Sequence, residues 1–230
     1  KTKEIRNYIS EIASKFYSLK PKNIIAVTGT NGKTSVADFF YQILSTNGIP
    51  VASIGTLGIK YNKKVIKTDL TSPDTITLHK NLEKIKKNKI NNLIIEASSH
   101  GLDQNRLSNL NFKAGIFTNF SQDHLDYHKT MKSYLNAKLI LFTKLLPKKS
   151  YVISDKTINE FSILKKISKK RKLNLIDTNI EYEKIKKISK FLPGSFQIKN
   201  LSMATLAAKL CGVDNYKINK AIKKIKNVNG

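Results

Sequence analysis

A turn containing Gly29 and Gly32 follows a short apolar run at residues 23–26 and ends in Lys33 and Thr34. Glycines let the backbone N–H groups of such a turn face an anion, and the helix that follows presents its positive N-terminal end. The lysine ammonium can reach the β- and γ-phosphates of a nucleotide, and the threonine hydroxyl can ligate Mg²⁺. These residue types in this order predict a binding site for ATP or GTP.

The turn departs at one position from the usual phosphate-loop pattern, G-x-x-x-x-G-K-[ST]. The first glycine of that pattern falls on Val27, and Gly29 is the additional glycine of the turn instead. A plain strand-to-helix turn is the alternative explanation for the two glycines. The phosphate loop is favoured because a strand pattern precedes the turn and a helix pattern follows it, which is the context that the motif requires.

Acidic residues and a histidine stand where two further apolar runs end. Glu96 closes the run at 92–95, and Asp123 and His124 follow the run at 114–117. A carboxylate at the end of a buried strand is costly unless it pairs with a cation, which could be a side chain or the Mg²⁺ of a nucleotide. Zinc is a further possibility for the Asp and His residues. Because CxxC and HExxH spacings are missing, Mg²⁺ or Mn²⁺ beside phosphates is favoured.

Two other positions say less by themselves. Thr71 and Ser72 precede Pro73 at the start of a predicted helix, where hydroxyl side chains usually act as N-caps. Lys138 lies inside a predicted helix, where a single lysine is usually solvated.

The elements that must position these residues alternate between strand and helix patterns. This order predicts the α/β fold class, with a mostly parallel sheet flanked by helices. Ligands of such sheets bind at the carboxyl ends of the strands, where Thr28, Glu96 and Asn119 fall. Residues 155–192 are weakly patterned, and we expect peripheral strands and helices there. The predicted strands are 23–26, 51–54, 57–61 and 65–67 (a hairpin), 92–95, 114–117, 151–153 and 173–176, and the predicted helices are 5–19, 34–46, 73–87, 131–146, 197–210 and 218–225.

Composition excludes several classes of protein. The 230 residues are 40% hydrophobic, which is enough for one large domain. No apolar run approaches the length of a membrane span, so we expect no membrane insertion. Cys211 is the single cysteine, which excludes an internal disulfide framework and fits a reducing, cytoplasmic setting.

The net charge of +26 raises the possibility of a non-catalytic nucleic-acid binder. The lysines, however, are spread over the whole chain, and no basic stripe with interleaved aromatic residues occurs in the sequence. We therefore expect no specific nucleic-acid partner.

Four longer motifs surround the residues discussed above. They are Thr28-Gly29-Thr30-Asn31-Gly32-Lys33-Thr34, Glu96-x-Ser98-Ser99-His100-Gly101-Leu102-x-Gln104-x-Arg106, Phe117-Thr118-Asn119 and Asp123-His124-Leu125-Asp126-Tyr127-His128. Together they resemble the central ATP-binding domain of the Mur ligase family, with the MurE type as the nearest match. The first motif is shared with folylpolyglutamate and other Mur-like ligases, whereas the strings around His100 and His124 are narrower.

The resemblance implies an ATP-dependent amide ligase of peptidoglycan precursor synthesis. Such an enzyme phosphorylates the D-glutamate carboxylate of UDP-MurNAc-L-Ala-D-Glu, and the amine of meso-diaminopimelate or L-lysine then attacks the acyl phosphate. The implied ligands are ATP, Mg²⁺, the UDP-MurNAc-dipeptide and the diamino acid, and the protein is expected to be a cytoplasmic monomer. Another Mur-like ligase, of the folylpolyglutamate or cyanophycin type, is the alternative.

The resemblance also assigns roles to individual residues. Lys33, Glu96, His124 and Lys138 would be catalytic, with Lys138 as a carbamylated lysine whose pKa must be depressed, as nearby cations would do. Thr34, Glu96, His124 and the carbamate of Lys138 would hold Mg²⁺, and Asp123 would support that strand end. The residues that would bind ATP are Gly29, Thr30, Asn31, Gly32, Lys33, Thr34, Ser35, Asn119 and Asn200, and those that would bind the UDP-MurNAc-dipeptide are Thr71, Ser72, Ser98, Gln104 and Arg106.

Some features depart from the family pattern. The late Asn-x-x-Asn motif reads Gln197-Ile198-Lys199-Asn200 here, which keeps Asn200 and leaves the role of Gln197 open.

By comparison with the family, residues 1–20 would be the tail of a missing N-terminal domain, residues 21–230 the central domain, and the third domain would begin at 228–230. We therefore expect weak ATP binding and little or no ligation from these 230 residues alone, which should be inactive as a ligase.

Overall fold

A computed structural model describes residues 2–226, and eight strands within that range form one sheet. The strands are β1 (Asn23–Thr28), β2 (Val51–Gly55), β3 (Gly58–Tyr61), β4 (Lys64–Ile66), β5 (Asn92–Glu96), β6 (Phe112–Phe117), β7 (Tyr151–Ser154) and β8 (Asn174–Asp177). Their order across the sheet is β4-β3-β2-β5-β1-β6-β7-β8. The domain boundary that we predicted at 228–230 lies outside the described residues.

Ten α-helices in the same range connect or flank these strands. They are α1 (Thr2–Phe16), α2 (Lys33–Thr46), α3 (Thr75–Lys87), α4 (Ser99–Asp103), α5 (Leu125–His128), α6 (Met131–Ile140), α7 (Phe161–Arg171), α8 (Asn179–Ile188), α9 (Gly194–Leu210) and α10 (Asn215–Ile222). No helix of residues 2–226 is both long enough and apolar enough to cross a membrane.

The hydrophobic core has two parts, one on each face of the sheet. Alternate side chains of β1 belong to different parts because successive side chains of a strand point to opposite faces. Ile25 and Val27 pack with α2, α9 and α10, whereas Ile24 and Ala26 pack with α3, α4 and α6. This burial on both faces explains why β1 is a continuous apolar run in the sequence.

The register of the central strands sets which residues meet at the carboxyl edge of the sheet. β1 pairs in parallel with β5 on one side and with β6 on the other. Val27 lies opposite Glu96, and Thr28 lies opposite Phe117. The turn that follows β1 therefore emerges between Glu96 and the residues that follow β6.

Most of the predicted elements occur in the structure, with shifted bounds. The predicted hairpin is confirmed, because β3 pairs antiparallel with both β2 and β4. The first helix covers Thr2–Phe16 and not 5–19. Helix α3 begins at Thr75 and not at Pro73, because the Asp74 carboxylate caps it by accepting a hydrogen bond from the Thr77 N–H. The last helix ends at Ile222 and not at 225.

The predicted helix 131–146 is wrong in its second half, which is a π-helical turn over Leu141–Leu145. The Thr143 hydroxyl donates to the backbone oxygen of Leu139, the acceptor that an α-helix would offer to the Thr143 N–H. The Leu146 N–H then bonds to the Leu141 oxygen at 2.9 Å, which is the five-residue spacing of a π-helix.

Residues 155–192 form α7, β8 and α8, and β8 is the last strand at one edge of the sheet. This agrees with the expectation of peripheral elements.

The division at residue 20 stays a prediction. In the structure α1 packs against α3, and the Ser10 hydroxyl donates to the Ser108 oxygen.

Candidate functional site

The turn after β1 has the backbone conformation of a loop that depends on glycine. Gly29 and Gly32 have φ angles of +144° and +85°, which side-chain-bearing residues rarely adopt. A Cβ atom on Gly29 would lie 1.9 Å from the Thr118 Oγ1, and one on Gly32 would lie 2.6 Å from the Asn200 Oδ1. Both glycines are therefore required by conformation and by close neighbours.

Residues from the end of β6 brace this loop. The Asn119 backbone oxygen accepts from the Thr30 N–H, and its side-chain Oδ1 accepts from the Asn31 N–H at 2.9 Å. The Thr118 hydroxyl donates to the Asn31 oxygen at 2.6 Å. Asn119 therefore supports the loop directly, and its predicted contact with ATP stays a prediction.

Lys33 folds back over the loop that precedes it. Its Nζ donates to the backbone oxygens of Gly29 at 2.9 Å and Thr30 at 2.8 Å. Burial lowers the pKa of Lys33, although the negative charge of Glu96 partly opposes this shift. The ammonium is thus held against the loop on which a phosphate chain would lie.

Glu96 is buried beneath the loop, with 2% of its surface exposed. Its carboxylate accepts from the Thr34 hydroxyl at 2.9 Å and from the Thr56 N–H at 3.0 Å. Burial raises the pKa of Glu96, and these hydrogen bonds oppose the rise. Among the described residues no side-chain cation lies within ion-pair distance of it. Within residues 2–226, Glu96 therefore does not form the buried ion pair with a side chain that the sequence left open as the alternative to Mg²⁺.

Gly55 makes the position of Glu96 possible. A Cβ atom there would lie 2.1 Å from the Glu96 Oε1, so no larger residue fits without moving the carboxylate. Gly55 and Thr56 were both missed by the sequence analysis, because nothing in the sequence indicates that the end of β2 contacts the end of β5.

The Thr34 hydroxyl and the Glu96 carboxylate fit a magnesium ion chemically. Both are hard oxygen ligands, and Mg²⁺ is commonly bound by one or two protein carboxylates together with water and substrate phosphates. Within residues 2–226, no group of three or more His, Cys, Asp or Glu side chains could hold a metal ion. Two such oxygen donors would leave most coordination positions of a bound Mg²⁺ to water or to phosphate oxygens.

Lys138 is almost completely buried, with 1% of its surface exposed. Its Nζ donates to the Gly29 oxygen at 2.8 Å and lies 4.2 Å from the centre of the Tyr134 ring. Burial, followed by the charge of Lys33, lowers the pKa of Lys138 to about 7. Nearby cations, which we expected to lower this pKa, contribute through Lys33, but burial is the larger cause.

His124 is the N-cap residue that precedes α5, and its backbone is left-handed, with φ of +51°. The Asp123 Oδ1 accepts from the His124 N–H, and the Asp123 Oδ2 lies 3.5 Å from the His124 Nε2. The imidazole is 44% exposed and lies edge-on to the rings of His100 and Tyr134. Asp123 therefore orients His124, which leaves the ring accessible from the loop side.

These residues surround a cavity of about 510 Å³. Lys33, His124 and Lys138 line it although they come from three separate segments of the chain. Glu96 lies under this lining, reached through Thr34. The other lining residues are Thr30, Asn31, Gly32, Thr34, Ser35, Thr56, Thr71, Ser98, Ser99, Phe196 and Gln197.

Ser72 is buried and does not line this cavity. Its hydroxyl donates to the Glu96 backbone oxygen at 2.8 Å and accepts from the Ser98 N–H at 3.0 Å. Thr71 does line the cavity, and its hydroxyl lies 3.2 Å from that of Thr56. Ser98 caps α4 by accepting from the Gly101 N–H.

Gln104 and Arg106 line a second cavity, of about 310 Å³, together with Arg6 and Asp74. The neighbouring Arg6 adds to the effect of burial, which is the larger cause, in lowering the pKa of Arg106. Arg6 was missed by the sequence analysis, because a single arginine in a helix of mixed composition gives no signal.

Asn119 and Asn200 line a third cavity, of about 570 Å³, which shares the loop residues Asn31 and Gly32 with the first cavity. The Asn200 side-chain amide donates to the Gln197 Oε1 at 3.3 Å. Gln197, whose role the sequence left open, thus accepts a hydrogen bond from the side chain that a Cβ atom on Gly32 would meet.

Residues 27–208 match the family model of the Mur ligase middle domain. The chain belongs to the Mur ligase middle-domain family. This confirms the resemblance carried by the four motifs, and the match includes the phosphate loop, Glu96, His124 and Lys138.

Several curated relatives are named UDP-N-acetylmuramoyl-L-alanyl-D-glutamate–2,6-diaminopimelate ligase. That of Rickettsia bellii is 38% identical over 99% of this chain and 53% of its own length. That of Brucella melitensis is 36% identical over 98% of this chain and 51% of its own length. The chain therefore spans about half the length of these relatives.

Solved structures confirm the fold. A UDP-N-acetylmuramoyl-L-alanyl-D-glutamate–2,6-diaminopimelate ligase superposes with a TM-score of 0.81 at 23% identity, over 100% of this chain and 51% of that one. Mycobacterium tuberculosis folylpolyglutamate synthase, complexed with ADP, superposes with a TM-score of 0.74 at 14% identity, over 97% of this chain and 62% of that one. The predicted α/β class with a mostly parallel sheet is correct.

The depressed pKa of Lys138 predicts a pH-dependent stability that Lys138→Met should remove. From about pH 7 to pH 10 the unfolded chain keeps a proton on Lys138 that the folded chain has lost, so the free energy of unfolding rises with pH. The slope from this one group approaches about 1.4 kcal/mol per pH unit. Urea denaturation in CO₂-free buffer across this range measures it.

Lys132→Met is the matched control, because Lys132 is an exposed lysine of the same helix. It should keep the pH dependence of the unsubstituted protein. Parallel curves for Lys138→Met and the unsubstituted protein would show that the Lys138 amine keeps its proton in the folded state.

Proposed function

We propose that this chain is the ATP-binding part of a ligase that adds 2,6-diaminopimelate to UDP-MurNAc-L-Ala-D-Glu in peptidoglycan precursor synthesis. The observation that supports this most strongly is the contact between the phosphate loop and a buried carboxylate, since the Thr34 hydroxyl donates a hydrogen bond to Glu96. This contact lies under the cavity that Lys33 and Lys138 line. The name shared by the curated relatives supports diaminopimelate over L-lysine as the added amino acid.

The loop would hold the phosphates of ATP. The backbone N–H groups of the glycine-containing turn and the start of α2 supply donors and a positive dipole end. Lys33, which now bonds to its own loop at Gly29 and Thr30, would exchange these neutral acceptors for phosphate oxygens. Asn119 and Asn200 would border the nucleotide from the third cavity.

Thr34 and Glu96 are the protein oxygens that would hold Mg²⁺ beside the phosphates, and His124 and Lys138 would hold a second ion. The metal would neutralise charge that builds up on the phosphate oxygens during transfer. Glu96 must then be the carboxylate. The hydrogen bonds from Thr34 and Thr56 favour that form over the neutral acid.

The chemistry is a transfer followed by a displacement. A carboxylate oxygen of the substrate attacks the γ-phosphorus of ATP, and the bond to ADP breaks. The amine nitrogen then attacks the acyl carbon, inorganic phosphate leaves with the bonding electron pair, and the amine loses a proton. The protein contributes mainly position and charge, so the cavity that collects Lys33, His124 and Lys138 suits the reaction.

Lys138 would react with CO₂ through its neutral amine to give a carbamate and release one proton. A pKa of about 7 leaves enough neutral amine near physiological pH for this addition. The carbamate turns a cation into an anionic oxygen ligand for the metal.

With ¹³C-labelled bicarbonate, a carbamate signal should appear by NMR in the unsubstituted protein and be missing from Lys138→Met. A signal of equal size in both proteins would reject this role.

The acidic substrate would extend from the first cavity, which Lys33 and Lys138 line, to the second one. Thr71 and Ser98 line the first, whereas Gln104 and Arg106 line the second. Ser72 would act indirectly, because its buried hydroxyl fixes Ser98 and the end of β5. This proposal includes a cytoplasmic, monomeric protein, and weak ATP binding with little or no ligation by the 230 residues alone. Both stay predictions.

The proposal predicts which substrates support ATP hydrolysis by the intact protein. ADP and phosphate should form together with one amide when UDP-MurNAc-L-Ala-D-Glu and meso-diaminopimelate are supplied. L-Lysine in place of diaminopimelate tests the choice of amine, and folate with glutamate, or an aspartate polymer, tests the related ligase types. Turnover with either of the last two and none with the UDP-MurNAc-dipeptide would reject the proposal.

Lys33→Ala should lower this turnover by about 100-fold or more, because a charge that faces the transferred phosphate is lost. Lys165→Ala removes an exposed lysine of α7 and is the matched control. A nucleic-acid binder with no nucleotide chemistry would show no such turnover, with or without either substitution.

A further inference from the structure

Four side chains form a continuous hydrogen-bonded chain between α5 and the second cavity. The Tyr127 hydroxyl donates to the Asp103 carboxylate at 3.0 Å and accepts from the Gln104 side-chain Nε2 at 3.2 Å. The Gln104 Oε1 in turn accepts from the Arg106 Nε at 3.0 Å and from the Arg106 Nη2 at 2.6 Å. Tyr127 has no role in the function proposed above.

The direction of every bond in this chain follows from its first member. An ionised carboxylate only accepts, so Asp103 takes the single hydroxyl proton of Tyr127. The Tyr127 oxygen is then left as an acceptor, and the Gln104 amide presents its NH₂ group to it. The amide oxygen must therefore face Arg106. The opposite orientation would place NH₂ against the guanidinium donors.

Arg106 is consequently fixed before any ligand arrives. Three of its five N–H donors are used within the protein, two on the Gln104 oxygen and one on the Ser72 backbone oxygen at 2.8 Å. One N–H remains on each terminal nitrogen, and the residue lines the second cavity. A guanidinium held in this way keeps the planar pair of donors that a carboxylate or phosphate accepts.

We propose that Tyr127 is a positioning residue for the acidic substrate: it sets the orientation of the Gln104 amide and thereby the Arg106 donors that bind an anionic oxygen group. This inference rests on the proposed function for the identity of that substrate. Tyr127 lies on α5, directly after the N-cap residue His124 and Leu125, so this segment contributes His124 to the first cavity and supports the second one through Gln104.

The test is Tyr127→Phe in the intact protein. This change keeps the ring, whose centre is 4.2 Å from that of His100, and removes only the hydroxyl. The KM for UDP-MurNAc-L-Ala-D-Glu should rise about tenfold, the effect of one lost hydrogen bond, while the KM for ATP stays within about twofold. Tyr182→Phe, a partly exposed tyrosine of α8, is the control and should change neither constant. An unchanged KM for the dipeptide, or an equal rise for ATP, overturns the proposal.

A second substitution separates positioning from general loosening of the fold. Glu in place of Gln104 offers two equivalent acceptor oxygens, so its orientation needs no partner. Tyr127→Phe should therefore raise the KM for the dipeptide much less in a Gln104→Glu background than in the unsubstituted protein. Equal effects in both backgrounds would mean that Tyr127 does not act through the Gln104 amide.

A measurement without substrate distinguishes failure of this inference from failure of the proposed function. The Arg106 Nε–H, assigned by its loss in Arg106→Lys, should exchange slowly with water by ¹⁵N NMR. Tyr127→Phe should speed this exchange about tenfold even if no turnover with the UDP-MurNAc-dipeptide exists. Unchanged exchange overturns the positioning role, whereas missing turnover in the unsubstituted protein with altered exchange rejects only the substrate.

Discussion

The parallel pairing of β1 between β5 and β6 is the constraint on which the site depends. It brings the turn after Thr28 out between Glu96 on one side and Thr118 and Asn119 on the other. One side supplies a carboxylate to Thr34, and the other supplies hydrogen bonds to Thr30 and Asn31. A shift by one residue in either strand would turn these side chains away from the loop, because side chains alternate between the faces.

This arrangement buries groups that are unfavourable without a ligand. Glu96 and Lys138 are almost inaccessible to water, and neither forms an ion pair with another residue in the described part of the chain. Burying a charge costs several kcal/mol unless partners replace the lost water. Hydrogen bonds from Thr34 and Thr56, and the bond from Lys138 to Gly29, compensate in part. Part of the free-energy cost of burying these groups therefore remains. Because functional sites commonly hold such groups, this favours the cavity as a site for phosphates and cations.

Much of this could be predicted from the sequence because the signals are local. The phosphate loop, the strand before it and the helix after it lie within about 25 consecutive residues, and hydrophobic periodicity revealed most strands. The position of Glu96 followed from a rule on parallel sheets, which needs no knowledge of its neighbours.

The contacts of side chains distant in sequence could not be predicted. Gly55 and Glu96 are 41 positions apart, and only the pairing of β2 with β5 brings them together. The burial of Lys138, the π-helical turn that follows α6, and the link from Tyr127 to Arg106 likewise depend on packing. The resemblance to a family placed Lys138 in the site, but the physical reason for its lowered pKa came from the structure.

The most direct test of the central claim is a crystal structure of the protein with a non-hydrolysable ATP analogue and Mg²⁺. We expect the β- and γ-phosphates to lie on the backbone amides of residues 29–34 and a metal ion to be bound at the Thr34 hydroxyl and the Glu96 carboxylate. Phosphates bound elsewhere with this loop empty, or a metal ion that neither oxygen contacts, would contradict it.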